Sequence, residues 1–188
     1  MIASYRRNPM SQRNMSLSMC ILIALCGATT SAHAADPACK PVFEALTKAA
    51  ATPNHQFMTE TAANKPTPES SEVIATANMM YTKIDTTWHG RPFNPQQQAT
   101  QMREAYKTAA LTCRHLRDET LAGDPVAVYD TQDKQEGGSI VNSQIWVSKA
   151  RGLPVKQTID MDVGGGSGKS HTEVRVDYAN VQPPAGVN

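Results

Sequence analysis

The chain lacks a surplus of charge of either sign. Its 188 residues include 18 lysines and arginines against 17 aspartates and glutamates. Three of the basic residues, Arg6, Arg7 and Arg13, fall within the first 34 positions, so the remainder holds 15 basic and 17 acidic residues, a formal charge of −2. Proteins that bind nucleic acid need a basic surface to neutralise phosphates. The sequence therefore predicts no nucleic-acid partner.

The spacing patterns of catalytic and metal sites are also missing. No serine stands in a nucleophile elbow. No two histidines stand at the helical i, i+4 spacing of a zinc pair, and the carboxylates are scattered. The histidines beyond position 34 are His55, His89, His115 and His171. We predict a protein that is not an enzyme and holds neither a metal nor a cofactor.

A glycine-rich segment at 164–170, GGGSGKS, matches a phosphate-binding loop only in part. Such a loop needs glycine five residues before Gly168, where this chain has Val163, and it must open a helix. The residues that follow alternate between polar and apolar from His171 onward, which is typical of a strand. We expect a hairpin loop here.

No apolar run is long enough to span a bilayer, since the one at 19–26 is far below the roughly 20 residues required. That run follows the basic residues and precedes Ala32-His33-Ala34, a typical signal-peptide cleavage site. We predict that residues 1–34 are a leader cleaved after Ala34 and that the protein is periplasmic. Residues 35–188 then form a single domain.

Only two cysteines, Cys39 and Cys113, lie beyond the predicted cleavage site. An oxidising compartment favours a disulfide between them, although two separate buried thiols are the alternative. Asp36-Pro37 and Asn94-Pro95 each combine an N-cap residue with proline, which predicts the start of a helix. Cys39 falls on the apolar stripe of the first helix, so the bridge would attach this helix to the region of Cys113.

A β-hairpin is predicted at 144–162, where alternating runs flank Gly152. Ile145 and Val147 share one face of the first run, with Trp146 on the other. One face of the second run holds Val155, Gln157, Ile159 and Met161. Further strands are expected at 55–61, 72–76, 79–84, 111–120, 126–131 and 171–181, with a loop at 65–71. Short turns between them predict an antiparallel sheet covered by two helices on one face, an α+β fold.

Several strands carry apolar residues on both faces, which requires cover on both sides. Helices can cover one face, and the other could line a cavity for an apolar ligand. An ordinary core with half-buried edges is the alternative. The candidate cavity residues are Met79, Tyr81, Val126, Val128, Trp146, Ile159 and Met161.

The order of elements resembles that of periplasmic lipoprotein-localisation factors (LolA/LolB-like) and related lipid-binding lipoproteins. The likeness covers most of the chain beyond the leader. It depends on the paired strands with the aromatic turn at 80–88, MYTKIDTTW, and on the late hairpin IWVS…GLPVK at 145–156. The resemblance implies an unclosed antiparallel half-barrel with a helical lid over a cavity for acyl chains. Two hypotheses follow: a periplasmic carrier of a lipid or other apolar ligand, or a module without a cavity that docks an envelope protein partner.

Overall fold

The structure is a computed structural model that describes residues 36–63, 65, 67–134, 139–162 and 168–186. The predicted leader lies outside this part of the chain. A 3₁₀ turn at Pro37–Cys39 precedes the first helix. The helices and strands are α1 (Lys40–Ala50), β1 (Asn54–Ala62), β2 (Glu69–Ala75), β3 (Met79–Ile84), β4 (Thr87–Pro92), α2 (Pro95–Thr108), β5 (Leu111–Leu121), β6 (Asp124–Lys134), β7 (Ile140–Ser148), β8 (Pro154–Asp162) and β9 (Lys169–Asp177).

All nine strands belong to one antiparallel sheet, in the order β4-β3-β2-β1-β9-β8-β7-β6-β5. Strands β1 to β4 and β5 to β9 form two meanders, which are joined where Phe57 of β1 lies opposite Arg175 of β9. Strands β4 and β5 stand at the two edges, so the sheet does not close on itself. The predicted fold class, an antiparallel half-barrel with two helices, is confirmed.

Helix α1 packs on one face of the sheet. Its Val42 and Ala45 form a buried cluster with Ile145 and Val147 of β7. We call the face that carries Ile145 and Val147 the helix-side face and the opposite one the outer face. The predicted apolar stripe of the first helix therefore packs on the face of the hairpin that Ile145 and Val147 share.

The predicted disulfide is confirmed. Cys39, at the start of α1, is bonded to Cys113 of β5, with an S–S distance of 2.01 Å and a Cα–Cα distance of 4.9 Å. Phe43 and Ala109 pack around the bridge, together with Leu111. The bridge thus ties the helix to an edge strand of the sheet.

Helix α2 begins as its sequence predicts, because Asn94 Oδ1 accepts a hydrogen bond from the N–H of Gln97 at 3.0 Å. The helix packs against α1, where the ring centroids of Tyr106 and Phe43 are 4.4 Å apart. Ala99, seven residues before Tyr106 on the same side of α2, is also buried. No helix in the described part of the chain combines the length and the hydropathy needed to cross a membrane.

Among the predicted strand boundaries that differ from the structure, two have an identifiable cause. The last strand ends at Asp177 and does not reach Val181, because Asp177 Oδ1 accepts the N–H of Ala179 at 2.8 Å and turns the chain. Residues 69–71, which the sequence predicts to be part of a loop at 65–71, belong to β2, because Glu69 pairs with Glu60 of β1. A neighbouring strand here outweighs the polar composition of the segment.

The central hairpin differs from the prediction at one residue. Trp146 pairs with Lys156 but Val147 pairs with Pro154, so Val155 is the extra residue of a β-bulge. Pro154 has no N–H with which to continue the regular ladder. Val155 consequently packs in the Trp146 cluster. Its predicted common face with Gln157, Ile159 and Met161 is therefore wrong.

The first part of the predicted hairpin loop at 164–170 lies outside the described residues. The segment that follows the glycines is strand β9, as its alternation predicts. It is not the helix that a phosphate-binding loop would open.

Candidate functional site

A groove of 580 Å³ lies on the helix-side face, between α1 and the β5–β6–β7 part of the sheet. One stripe of α1 forms its first wall. The sheet and the β7–β8 turn form the rest. The lining residues are Pro41, Glu44, Ala45 and Lys48 of α1, then His115, Asp118, Ala127, Tyr129, Val147, Ser148, Lys149 and Gly152.

The helix wall follows from the periodicity of α1. Residues 41, 44, 45 and 48 stand at i, i+3, i+4 and i+7, next to the stripe of Val42 and Phe43 that packs into the core. One stripe therefore fixes the helix to the sheet, and its neighbour faces the groove. Ala45 belongs to both, and its small side chain leaves the space beside the sheet open.

The sheet wall depends on a bulge in the edge strand β5. His115 pairs with Tyr129 and Asp118 pairs with Ala127, with a register shift between His115 and Arg117. In a regular strand, side chains three residues apart point to opposite faces. The bulge brings His115 and Asp118 to the same face, where His115 Nε2 lies 3.0 Å from Asp118 Oδ1.

The charged side chains next to the β5 bulge form one network around Asp118. Its second oxygen, Oδ2, lies 2.6 Å from Lys149 Nζ. The hydrogen bond from Lys149, and after it the bond from His115, holds the pKa of the Asp118 carboxyl below its usual value. Asp118 is therefore ionised at neutral pH and engages both basic groups.

The helix wall carries a second cation, Lys48, whose hydrogen-bond partner is a neutral carbonyl. Lys48 Nζ donates a hydrogen bond to the backbone carbonyl of Arg151, in the β7–β8 turn. Among the described residues, Lys48 has no carboxylate partner. Glu44 instead lies 3.8 Å from Lys40, in an exposed i, i+4 pair. Lys48 therefore places a positive charge at the β7–β8 turn.

The lining does not assemble a nucleophile with a base among the described residues. Ser148 Oγ donates to Asp124 Oδ1 at 3.0 Å and accepts the N–H of Arg151 at 3.3 Å, while His115 is bonded to Asp118. Within the described ranges, no cluster of three or more His, Cys, Asp or Glu could hold a metal ion. The floor is apolar, formed by Ala45, Ala127, Val147 and the ring of Tyr129. This arrangement suits binding.

None of the seven predicted cavity residues lines this groove. Three of them are brought together on the outer face, where Val126, Val128 and Trp146 form one buried cluster. Lys156 Nζ lies 5.3 Å from the centre of the Trp146 ring, whose Nε1–H donates to Glu119 Oε1 at 2.5 Å. These three side chains therefore pack on one another.

The other four predicted residues are apart from that cluster. Met79 and Tyr81 share the outer face but belong to β3, five strands away from β7 in the sheet. Ile159 pairs with Ser143 and Met161 with Val141, which places both on the helix-side face. The sheet thus divides the seven residues between its two faces, and their role in lining a cavity stays a prediction.

The outer face carries a charge pattern that the sequence did not suggest. One register row crosses all nine strands: Trp88, Lys83, Glu72, Phe57, Arg175, Lys156, Trp146, Val128 and Arg117. Cations lie 5.3–5.7 Å from ring centres in this row, as for Lys83 over Trp88 and Arg175 over Phe57. Cross-strand ion pairs such as Lys83–Glu72, at 2.6 Å, neutralise much of its charge. Ion pairs and cation–π contacts of this kind allow one face of a sheet to be exposed to solvent.

Sequence reasoning missed the groove because one of its causes, the bulge in β5, has no sequence signal. A single extra residue in β5 sends Asp118 to the helix-side face, and no turn residue marks that bulge. The clearest available signal was the stripe of α1 beside the predicted core stripe, which ends in Lys48 and includes the small Ala45.

Comparison with protein-family profiles found no match, and comparison with curated proteins found none either. Several solved structures are similar in chain arrangement. LprF from Mycobacterium bovis is 12% identical, with a TM-score of 0.45, 83% of this chain and 100% of that one being covered. The lipoprotein LppX from Mycobacterium tuberculosis is 10% identical, with a TM-score of 0.47 and coverages of 76% and 97%.

The similar structures include a LolA superfamily protein, NE2245 from Nitrosomonas europaea. It is 9% identical, with a TM-score of 0.30 and coverages of 76% and 92%. All three identities are 12% or lower and all three TM-scores are below 0.5, so the likeness does not extend to shared site residues, ligands or partners.

Proposed function

We propose that the chain is a periplasmic binding or carrier protein for a lipid, an acyl chain or another apolar molecule, and not an enzyme. The observation that carries the proposal is the groove beside α1, with its apolar floor and charged rim. Its 580 Å³ falls within the roughly 300–1,000 Å³ of small-molecule sites. Burial of an apolar ligand on that floor would release water chiefly from Ala127 and the ring of Tyr129, which are half-buried, since Ala45 and Val147 are already buried.

The disulfide adds a mechanical argument to this proposal. Cys39 precedes the groove wall on α1, and Cys113 lies two residues before His115 on the opposite wall. The bridge therefore limits how far the two walls can separate. We expect a ligand to enter through the open side of the groove while α1 stays attached to the sheet.

The alternative, a protein-interaction module without a ligand cavity, would use the sheet or its edges. Both edge strands carry features that oppose pairing with another strand. Strand β5 is bulged and has ion-paired Arg114 and Arg117, while β4 is six residues long and ends in Pro92. The groove favours the binding protein over this alternative.

Native mass spectrometry of protein purified from the periplasm tests the proposal. We expect a bound apolar molecule that organic extraction removes. Ala127→Phe should fill the groove and abolish the adduct, whereas Thr158→Phe on the outer face should retain it. A parent protein without any adduct, which also fails to take up added amphiphiles after extraction, would refute the function.

A further inference from the structure

The two lysines at one end of the groove differ in how their charge is compensated. Lys149 is 2.6 Å from the Asp118 carboxylate, which His115 shares. Lys48 donates to a neutral carbonyl, that of Arg151, and no carboxylate pairs with it among the described residues. Each ammonium group has three donors, so both retain capacity for a further acceptor.

Both lysines are next to the β7–β8 turn, Lys149 in sequence and Lys48 through its hydrogen bond. On the sheet side, Lys149 begins the turn and lies two residues before Arg151, the residue that Lys48 contacts from the helix. Gly152 follows, with a φ of +60°. Because glycine has no side chain, nothing from this residue blocks the approach to Lys48 Nζ, which lies 3.8 Å from where a Cβ would stand. An acceptor group at this end could therefore meet ammonium groups from both walls.

The size of the groove limits the apolar part of a ligand. An apolar cavity of about 150 Å³ holds one benzene molecule, or about 25 Å³ for each carbon atom. At the same density, 580 Å³ corresponds to roughly 23 carbon atoms. That volume matches one acyl chain of common length with its head group and is smaller than the two chains of a common phospholipid.

We propose that the groove binds a single-chain amphiphile with an anionic head, a long-chain fatty acid carboxylate, with its head at Lys48 and Lys149 and its chain on the floor of Ala45, Ala127 and Val147. This inference depends on the proposed binding function and adds the charge of the ligand and the residues that recognise it. Lys48 is the principal determinant, because its charge has no carboxylate partner to be displaced among the described residues.

Binding of three probes with the same twelve-carbon chain tests the head group. The protein is first stripped of lipid by organic extraction and refolding is checked by circular dichroism. Dodecanoate, dodecan-1-ol and dodecyltrimethylammonium are then titrated separately. We expect dodecanoate to bind about three- to tenfold more tightly than the alcohol, in line with an exposed charge-assisted hydrogen bond, and the cation to bind most weakly. The preference should shrink in high salt.

Substitution of Lys48 assigns the preference to a residue. Lys48→Met keeps the apolar stem and should remove the preference for dodecanoate, while leaving the affinity for the alcohol unchanged. Lys48→Arg should restore it. Lys156→Met, on the outer face, is the matched control and should behave like the parent. A purely structural role of Lys48 would instead weaken all three probes together.

The possible failures are distinguishable. Equal affinities of the parent for dodecanoate and the alcohol would overturn the anionic-head proposal and leave the binding function intact. A preference that survives Lys48→Met and Lys149→Met together would overturn the assignment to these lysines. Absence of binding by all three probes would remove the proposed function as well.

Discussion

The face of the sheet on which Asp118 lies depends on one extra residue in the edge strand β5. Without the extra residue of the β5 bulge, its carboxylate would point to the outer face, and Lys149 would lose its partner at the groove. The sequence places the acid and His115 three residues apart, which in a strand predicts opposite faces. Their hydrogen bond on the helix-side face could therefore not have been inferred from alternation.

Glu72 should make stability sensitive to acid. The hydrogen bond from Lys83, and then the one from His55, hold the pKa of the Glu72 carboxyl below its usual value. A depressed folded-state pKa contributes stability above the unfolded value, about 4.3, and this contribution is lost as pH falls through the folded pKa. Glu72→Gln should cost about 1 kcal/mol of unfolding free energy at pH 7 and much less at pH 3.

Urea unfolding of the parent and Glu72→Gln at the two pH values checks this expectation. Glu104→Gln, which removes an exposed partner of Lys107 on α2, is the control and should have a small effect at both. An equal cost of Glu72→Gln at pH 7 and pH 3 would contradict the electrostatic explanation.

Tyr178 fixes the chain where β9 ends. Its hydroxyl donates to the carbonyl of Pro154 at 2.8 Å, and burial raises the pKa of the phenol. Tyr178→Phe keeps the ring but leaves that carbonyl without its partner, so it should lower the unfolding free energy by about 1 kcal/mol. Chemical unfolding measures the change. A phenylalanine variant as stable as the parent would show that the bond contributes nothing.

At the scale of elements, the sequence predicts which helices and strands exist better than it predicts the residues at which they begin and end. The capped helices and the central hairpin are visible because cap, proline and alternation are local signals. The bulge at Val155 and the extension of β2 to Glu69 depend on a neighbouring strand. Pairing between distant segments, such as β1 with β9, leaves no local signal at all.

The Cys39–Cys113 bridge is the connection between elements whose loss should matter most. It closes a separation of 74 residues, for which the chain-entropy contribution is about 4 kcal/mol. The double variant Cys39→Ser, Cys113→Ser should lower the thermal midpoint by several degrees.

Hydrogen exchange locates the effect of this bridge. Amides of α1 should lose more protection than those of β8 and β9, because the bridge attaches the helix to β5. Uniform loss across the sheet would mean that the bridge stabilises the fold without holding the helix. Reduction of the parent should reproduce the behaviour of the double variant.

At the scale of the whole molecule, the two faces of the sheet have different roles. The sequence indicated apolar residues on both faces and left open which of them lines a cavity. The outer face combines a buried cluster around Trp146 with cross-strand ion pairs, whereas the groove lies on the helix-side face beside α1. Its lining comes from small residues and a helix stripe, which carry weaker sequence signals than large apolar side chains.

The location of a bound chain tests the account most directly. A fatty acid with a nitroxide on its chain broadens the NMR signals of amides near it. We predict strong broadening at Ala45, Ala127 and Val147, with sharp signals retained at Met79 and Trp88 on the distant β3–β4 edge. Broadening centred on β3 and β4, with the α1 amides unaffected, would contradict the groove as the binding site.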